Sequence, residues 1–274
     1  LLASSAASDV YKRQPLLLLF FLSLGWTSCE DDEHFFLYQL SELYNPDEPI
    51  SGTYVPITGS SSVGITGGVA PYSISIADET IAKATLGEKD GLIGISPVKL
   101  GTTYLRVRDA NGLTAQIEVK VGEGRQNFGT IEIRVEIEGD MDEVQMKELE
   151  AKVIDDSDMK PTGVIKFVYT TKDKGTLTLI SSTEVASSTE IKSSFVRTLE
   201  QLGDKSRYCI TTTLDGKSHS YYIDYPEKPD ADEVVTRDQG PLTCFLVEDV
   251  TEIYKKDHSK VTSVKRFYDG WLSR

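Results

Sequence analysis

The chain has 274 residues and carries 43 acidic and 29 basic side chains, for a net charge of −14. This balance excludes nucleic acid as a partner, because phosphate binding needs a basic stripe, and it opposes peripheral binding to anionic lipid. The length allows one large or two small domains. From its first residue to its last, the sequence indicates a leader, a tether and two domains.

The first 28 residues predict a leader that is removed from the mature protein. Residues 1–14 resemble translated adapter sequence and are interpreted as non-native. Pro15 to Gly25 form an apolar run. The run is too short for a membrane-spanning helix of about 20 residues but fits a signal-peptide core of about 7 to 15 residues. Residues 15–28 are therefore predicted to be a signal peptide.

Cys29 directly follows the small residues Thr27 and Ser28. This arrangement resembles the lipobox of bacterial lipoproteins, although Trp26 stands where that motif usually has leucine. The resemblance implies cleavage before Cys29 and acylation of its thiol and new amino terminus. An ordinary secretory signal with a chance cysteine is the alternative.

Four consecutive acidic residues, Glu30 to Glu33, follow the cysteine. Charged side chains beside lipid headgroups stay in water, so residues 29–48 are predicted to be a lipidated, solvated tether. Acidic runs at this place resemble the export signal of surface-exposed lipoproteins, whereas in some bacteria an acid after the cysteine signals inner-membrane retention. We expect an outer-membrane lipoprotein that faces the cell surface and meets the membrane through this anchor.

Residues 49–122 predict a β domain. Short apolar runs alternate with turn residues, and the clearest hairpin turns at Asn111-Gly112. Alternation on its first strand places Leu105 and Val107 on one face and Tyr104 with Arg106 on the other. Closely spaced turn signals of this kind are typical of a small β-sandwich.

The segments "ITGGVAPYSISIADETIA" and "GTTYLRVRDANG" resemble a bacterial Ig-like domain of the group 2 type. The matching residues are Gly67, Gly68, Tyr72, Ile81, Ala82, Gly101, Thr102, Leu105, Val107, Asp109 and Gly112. The resemblance implies that Ile81, Ala82, Leu105 and Val107 fill a sandwich core and that Asp109 caps the last hairpin. It implies a spacer or adhesive module and no catalysis.

After a polar joint at 122–127, residues 128–274 match no family that the sequence identifies. The pattern predicts the order β-α-β-β-β-β-β-α-β, with a first helix from an Asp140–Glu143 capping box to about Val153. A second helix is predicted within "VEDVTEIYKKDHS", and a hairpin turn is predicted at Asp215-Gly216. Hairpin connections favour an antiparallel sheet with both helices on one face, so this part is an α+β domain in a mainly β protein.

No motif in the chain indicates catalysis. The three histidines, His34, His219 and His258, lack metal-ligand spacing and are interpreted as surface residues. The segment "DDSDMKPTG" lacks the glycine and the closing acid of a calcium loop. We expect a protein that is not an enzyme and that holds no metal and no cofactor.

Aromatic residues near the C-terminus are the candidates for ligand binding. Tyr221, Tyr225 and Trp271 could form an exposed platform that stacks on sugars or anchors a protein, or they could cover a core. Cys209 and Cys244 could form a disulfide in an exported protein, or they could remain buried thiols.

The sequence therefore predicts a non-catalytic cell-surface lipoprotein. In this interpretation an Ig-like spacer presents a C-terminal module that binds a glycan or a protein. A purely structural envelope component is one alternative. A glycoside hydrolase that uses scattered carboxylates is the other.

Overall fold

The computed structural model describes residues 34–40, 48–88, 91–183, 188–226 and 242–273. Over these ranges the protein is mainly β with two helices, as the alternation of its residues predicted. The strands form two four-stranded sheets and one closed eight-stranded barrel. The predicted signal peptide and Cys29 lie outside the described residues.

The first eight strands form the two four-stranded sheets. These strands are β1 (Phe36–Gln39), β2 (Gly52–Pro56), β3 (Ser61–Thr66), β4 (Ser73–Ile76), β5 (Ala82–Leu86), β6 (Leu92–Pro97), β7 (Gly101–Arg108) and β8 (Thr114–Gly122). One sheet has the order β1-β3-β6-β5 and the other β2-β8-β7-β4. The pairing of β2 with β8 is parallel, and the other pairs are antiparallel.

The hairpin of β7 and β8 confirms the predicted alternation. Leu105 and Val107 are fully buried, and Arg106 between them is exposed. Asp109, in the connecting loop, accepts hydrogen bonds from the main-chain N–H of Leu113 at 2.7 Å and of Val69 at 2.9 Å. The carboxylate therefore caps the hairpin and also ties it to the segment that follows β3.

The remaining strands form a closed antiparallel barrel. They are β9 (Gly124–Gly139), β10 (Val164–Tyr169), β11 (Lys174–Ile180), β12 (Glu190–Leu202), β13 (Lys205–Leu214), β14 (Lys217–Asp224), β15 (Leu242–Asp249) and β16 (Val261–Ser273). Neighbours follow chain order from β10 to β16, and β9 closes the wall by pairing with both β10 and β16. The antiparallel sheet was predicted correctly, but closure removes the open face on which the helices were expected to lie.

The polar joint predicted at 122–127 is not a linker. β8 ends at Gly122 and β9 begins at Gly124, so Glu123 alone separates the two strands. Residues 124–127 already pair with β10. The barrel therefore begins at residue 124 and not at 128.

Alternate side chains of each barrel strand face the interior and fill it. Phe167, Tyr169 and Phe195 are buried there, with the Phe195 ring edge-on to Tyr169 at 4.9 Å and to Phe167 at 5.4 Å between ring centroids. Aromatic pairs in this geometry add to the stabilisation from burial alone. The middle of the barrel is thus a packed core.

Two helices lie at one end of the barrel, α1 (Glu143–Asp155) and α2 (Thr251–Tyr254). They cover the ends of β9 and β16, and their buried residues form a second core with the strands. The predicted second helix is one turn long, because residues 247–249 pair with β16 as part of β15. Within the described residues β15 makes a sixth strand between the helices, one more than predicted. We call this end the helix end, and the end with the turns at 170–173 and 203–204 the rim.

The N-cap residue of helix α1 lies two residues after the predicted N-cap, Asp140. Asp142 is the N-cap, and its side chain accepts from the main-chain N–H of Gln145 at 2.9 Å while Gln145 accepts from the N–H of Asp142 at 3.4 Å. Asp140 has the same spacing to Glu143, but its N–H donates to the carbonyl of Lys260 at 3.1 Å. That contact keeps Asp140 in the turn after β9. Neither α1 nor α2, the helices within the described ranges, is long and apolar enough to cross a membrane.

Candidate functional site

The barrel separates the three aromatic residues that were predicted to share a platform. Tyr221 faces the interior on β14 and is 3% exposed. Trp271 is half-buried on β16, and its ring packs over Gly129, where a Cβ would lie 2.7 Å away. Tyr225 follows β14 at the rim and is exposed. Alternation put Tyr221 and Tyr225 on one face, but closure makes that face the barrel interior, so Tyr221 is a core residue.

The histidine prediction also needs a correction. His34 is exposed and His258 is half-buried, but His219 is buried on β14. Its ring stacks on Tyr221 with 5.8 Å between centroids. The residue after a hairpin turn was expected in solvent, but in a closed barrel the turn leads directly back to the inner face.

A buried polar cluster surrounds His219 at the helix end. Glu248 is opposite Tyr221 on one neighbouring strand and opposite Arg266 on the other. Its carboxylate lies 2.7 Å from Nδ1 of His219 and accepts from Nη1 of Arg266 at 2.9 Å. Tyr268 donates to the same carboxylate at 3.3 Å. The cluster therefore joins β14, β15 and β16 inside the wall.

Arg266 also binds helix α1. Its Nε and Nη2 donate to the main-chain oxygen of Val153 at 3.2 and 2.8 Å. Burial opposes the charge of the Arg266 guanidinium, but Tyr268 and Glu248 outweigh it and raise its pKa above the ordinary value. The charged guanidinium thus fastens the helix to the barrel.

The chemistry of this cluster is that of a structural support. Burial, and then the charge of Glu248, raise the pKa of Tyr268, so its hydroxyl stays neutral. The Ser157 hydroxyl donates to the carbonyl of Met159 at 2.7 Å and also lies within hydrogen-bond distance of the Tyr268 hydroxyl, at 2.9 Å. An activated serine would need a base as its hydrogen-bond partner.

One nitrogen atom of the cluster, Nε2 of His219, lacks the hydrogen bonds that the other polar atoms make in the described part of the chain. Within the described ranges Nε2 of His219 has no hydrogen-bond partner, and the Asp158 carboxylate lies 3.5 Å from it. No group of three or more His, Cys, Asp and Glu side chains in the same ranges is arranged to hold a metal ion.

Cys209 and Cys244 are both buried and free. Cys244 shares the inner face of β15 with the buried Leu246, whereas Cys209 shares the outer face of β13 with the exposed Thr211. The two thiols therefore lie on opposite faces of the barrel wall and cannot pair. Burial raises the pKa of Cys244 to about 12 and also raises the pKa of Cys209, as expected of unreactive thiols.

At the rim the barrel wall opens between β13 and β14. Their ladder runs from Leu214–Lys217 to Cys209–Tyr222. Nearer the rim, β13 remains paired with β12 and β14 remains paired with β15. The β12–β13 pair and the β14–β15 pair therefore diverge at the rim. The gap between them is a cavity of about 420 Å³, lined by Leu199 and residues 205–208 and 223–225. We call this cavity the rim cleft.

The rim cleft combines exposed apolar surface with an ion pair. Leu199 is 62% exposed, Tyr208 43% and Tyr225 47%. Arg207 and Asp224 form an ion pair with 2.8 Å between Nη2 and the carboxylate, and their side chains are 28% and 31% exposed. Apolar surface with a few convergent polar groups is the usual composition of a small-molecule site.

The sequence prediction included Tyr225 but missed Leu199, Tyr208 and the ion pair. The predicted turn at Asp215-Gly216 held the information. Both of its residues have positive φ, and this two-residue turn fixes Leu214 opposite Lys217. Counting back along both strands from that register places Arg207 opposite Asp224.

No protein-family model matches the chain, and no curated protein matches it.

The contrast between Tyr221 and Tyr225 gives a stability test. Tyr221→Ala should lower the free energy of unfolding by about 3–5 kcal/mol, because it empties part of the barrel core. Tyr225→Ala should cost less than about 1 kcal/mol, because its ring is exposed. Urea unfolding of both variants measures the difference, and similar costs would contradict the placement of Tyr221 inside the barrel.

Proposed function

We propose that this protein is a non-catalytic, lipid-anchored surface protein whose C-terminal barrel binds a ligand in the rim cleft. The observation that carries the proposal is the cleft itself. Leu199, Tyr208 and Tyr225 keep apolar surface in solvent there, beside the Arg207–Asp224 ion pair. Apolar groups gain free energy when they leave water, so a site that leaves them exposed gains from a ligand that covers them.

The two N-terminal sheets are proposed to be an Ig-like spacer. Three of the residues that carry the resemblance, Ala82, Leu105 and Val107, are fully buried, as residues of a sandwich core should be. Asp109 caps the β7–β8 hairpin, and Gly112 in the same loop has a φ of 93°. These local features support the spacer assignment, which leaves recognition to the barrel.

The buried polar cluster supports a binding protein more than an enzyme. Arg266, Glu248 and Tyr268 bond one another, and Arg266 also bonds helix α1. Groups already engaged with each other are poorly placed to act on a substrate.

The anchor is tested by metabolic labelling with a palmitate analogue in a bacterial host. Wild-type protein should take up the label and move to the membrane fraction, and Cys29→Ser should do neither, because it lacks the thiol that is acylated. Equal labelling of the two proteins would refute lipidation at Cys29.

Binding is tested by thermal unfolding of the chain from Glu30 onward, with neutral hexasaccharides in one panel and Tyr- and Leu-rich decapeptides in the other. At one hundred times Kd a ligand should add about 2.7 kcal/mol to the free energy of unfolding. Tyr225→Ala and Leu199→Ser should each remove most of that gain, because both residues line the cleft.

Tyr104→Ala is the matched control, since Tyr104 is 45% exposed on β7, outside the barrel. It should leave the ligand-induced stabilisation unchanged. A failure of both panels to stabilise the protein would favour a purely structural envelope component. A gain that survives both cleft substitutions would refute binding in the rim cleft.

A further inference from the structure

We propose that the rim cleft binds a neutral saccharide chain, with one sugar ring packed on its tyrosines and the sugar hydroxyls shared between Arg207 and Asp224. This inference rests on the proposed function of the cleft and names its ligand class. Four features carry it: the aromatic surface, the ion pair, the charge and the size of the gap.

The aromatic surface is held in place before any ligand arrives. The guanidinium of Arg197 lies 4.7 Å from the centre of the Tyr208 ring and 5.1 Å from that of Tyr169, so it fixes Tyr208 against the barrel core. Tyr208 and Tyr225 still leave ring surface in solvent. A pyranose ring presents a face of C–H groups, and a rigid tyrosine covers such a face at low entropic cost.

The ion pair offers a donor and an acceptor side by side. Nη2 of Arg207 lies 2.8 Å from the Asp224 carboxylate, and the two side chains are 28% and 31% exposed. A hydroxyl group both donates and accepts, so vicinal hydroxyls can accept from Arg207 and donate to Asp224.

The charge of the protein favours a neutral ligand. The net charge of −14 repels polyanions at long range. Within the cleft, Arg207 and Asp224 neutralise each other.

The size of the gap disfavours an inserted peptide strand. A cavity of about 420 Å³ lies within the range of about 300–1,000 Å³ for small-ligand sites. A strand added between β13 and β14 would need about 9–10 Å between them, twice the ordinary strand spacing. It would also have to displace the Arg207–Asp224 pair, which spans the gap.

The test is isothermal titration of the chain from Glu30 onward with named hexasaccharides. Maltohexaose, cellohexaose, laminarihexaose, xylohexaose, mannohexaose and chitohexaose form the neutral set. Hexagalacturonate represents an acidic saccharide, and the decapeptides represent a peptide. We expect at least one neutral compound to bind. Asp224→Asn and Arg207→Gln should each weaken that binding about tenfold, because each removes one partner of the hydroxyls.

Two controls separate recognition from folding. Glu190→Gln removes a carboxylate from the exposed Glu190–Lys192 pair at the other end of β12 and should change the affinity by less than about twofold. The O-methylated form of the bound hexasaccharide lacks hydroxyl donors and should bind the wild-type protein about tenfold more weakly. A merely structural Asp224 would not produce that second loss.

The outcomes distinguish the ligand class from the function of the cleft. If only hexagalacturonate or a decapeptide binds, and Tyr225→Ala weakens that binding, the neutral-saccharide inference is overturned and the cleft remains a binding site. If a neutral saccharide binds equally to all variants, the inference is also overturned. If nothing in the three sets binds, both the inference and the proposed function fail.

Discussion

One buried guanidinium holds the barrel wall and its covering helix together. Arg266 on β16 bonds Glu248 on β15 and reaches the carbonyl of Val153 in α1 with two of its nitrogens. Glu248 in turn contacts His219 on β14. Loss of one partner of a buried ion pair costs about 3–5 kcal/mol, since the other charge is then left uncompensated. The helix end is therefore the part of the barrel where a small chemical change is most damaging.

The ion pair at the rim, unlike the one at the helix end, is partly exposed to solvent. This pair, Arg207 with Asp224, is about one-third exposed, so water competes for both partners and the pair contributes little to stability. The ladder between β13 and β14 has ended there, and Leu199 and Tyr208 remain in solvent. Groups that the fold does not need are available to a ligand. The helix end thus contributes to stability, and the rim holds the proposed binding site.

This division explains what the sequence could and could not predict. Local patterns were sufficient for β7, where Leu105 and Val107 alternate with exposed residues, and for the turn that sets the register of β14. Closure depends on β9 pairing with β16, more than a hundred residues later in the chain, and no local pattern encodes that contact. Without closure, His219 looked like a surface residue, and the pattern left Tyr221 open between an exposed platform and a core. The rim cleft could not be predicted either. It forms where the pairing of β13 with β14 ends, and no sequence motif marks that point.

On this division, the helix end stabilises the barrel and the rim contributes little to its stability. Urea unfolding of Glu248→Gln and Asp224→Asn tests it directly, because each change removes one negative charge from an ion pair without changing the size of the side chain. We expect a loss of about 3–5 kcal/mol in the free energy of unfolding for Glu248→Gln and of less than about 1 kcal/mol for Asp224→Asn. Equal losses, or a larger loss for Asp224→Asn, would contradict it.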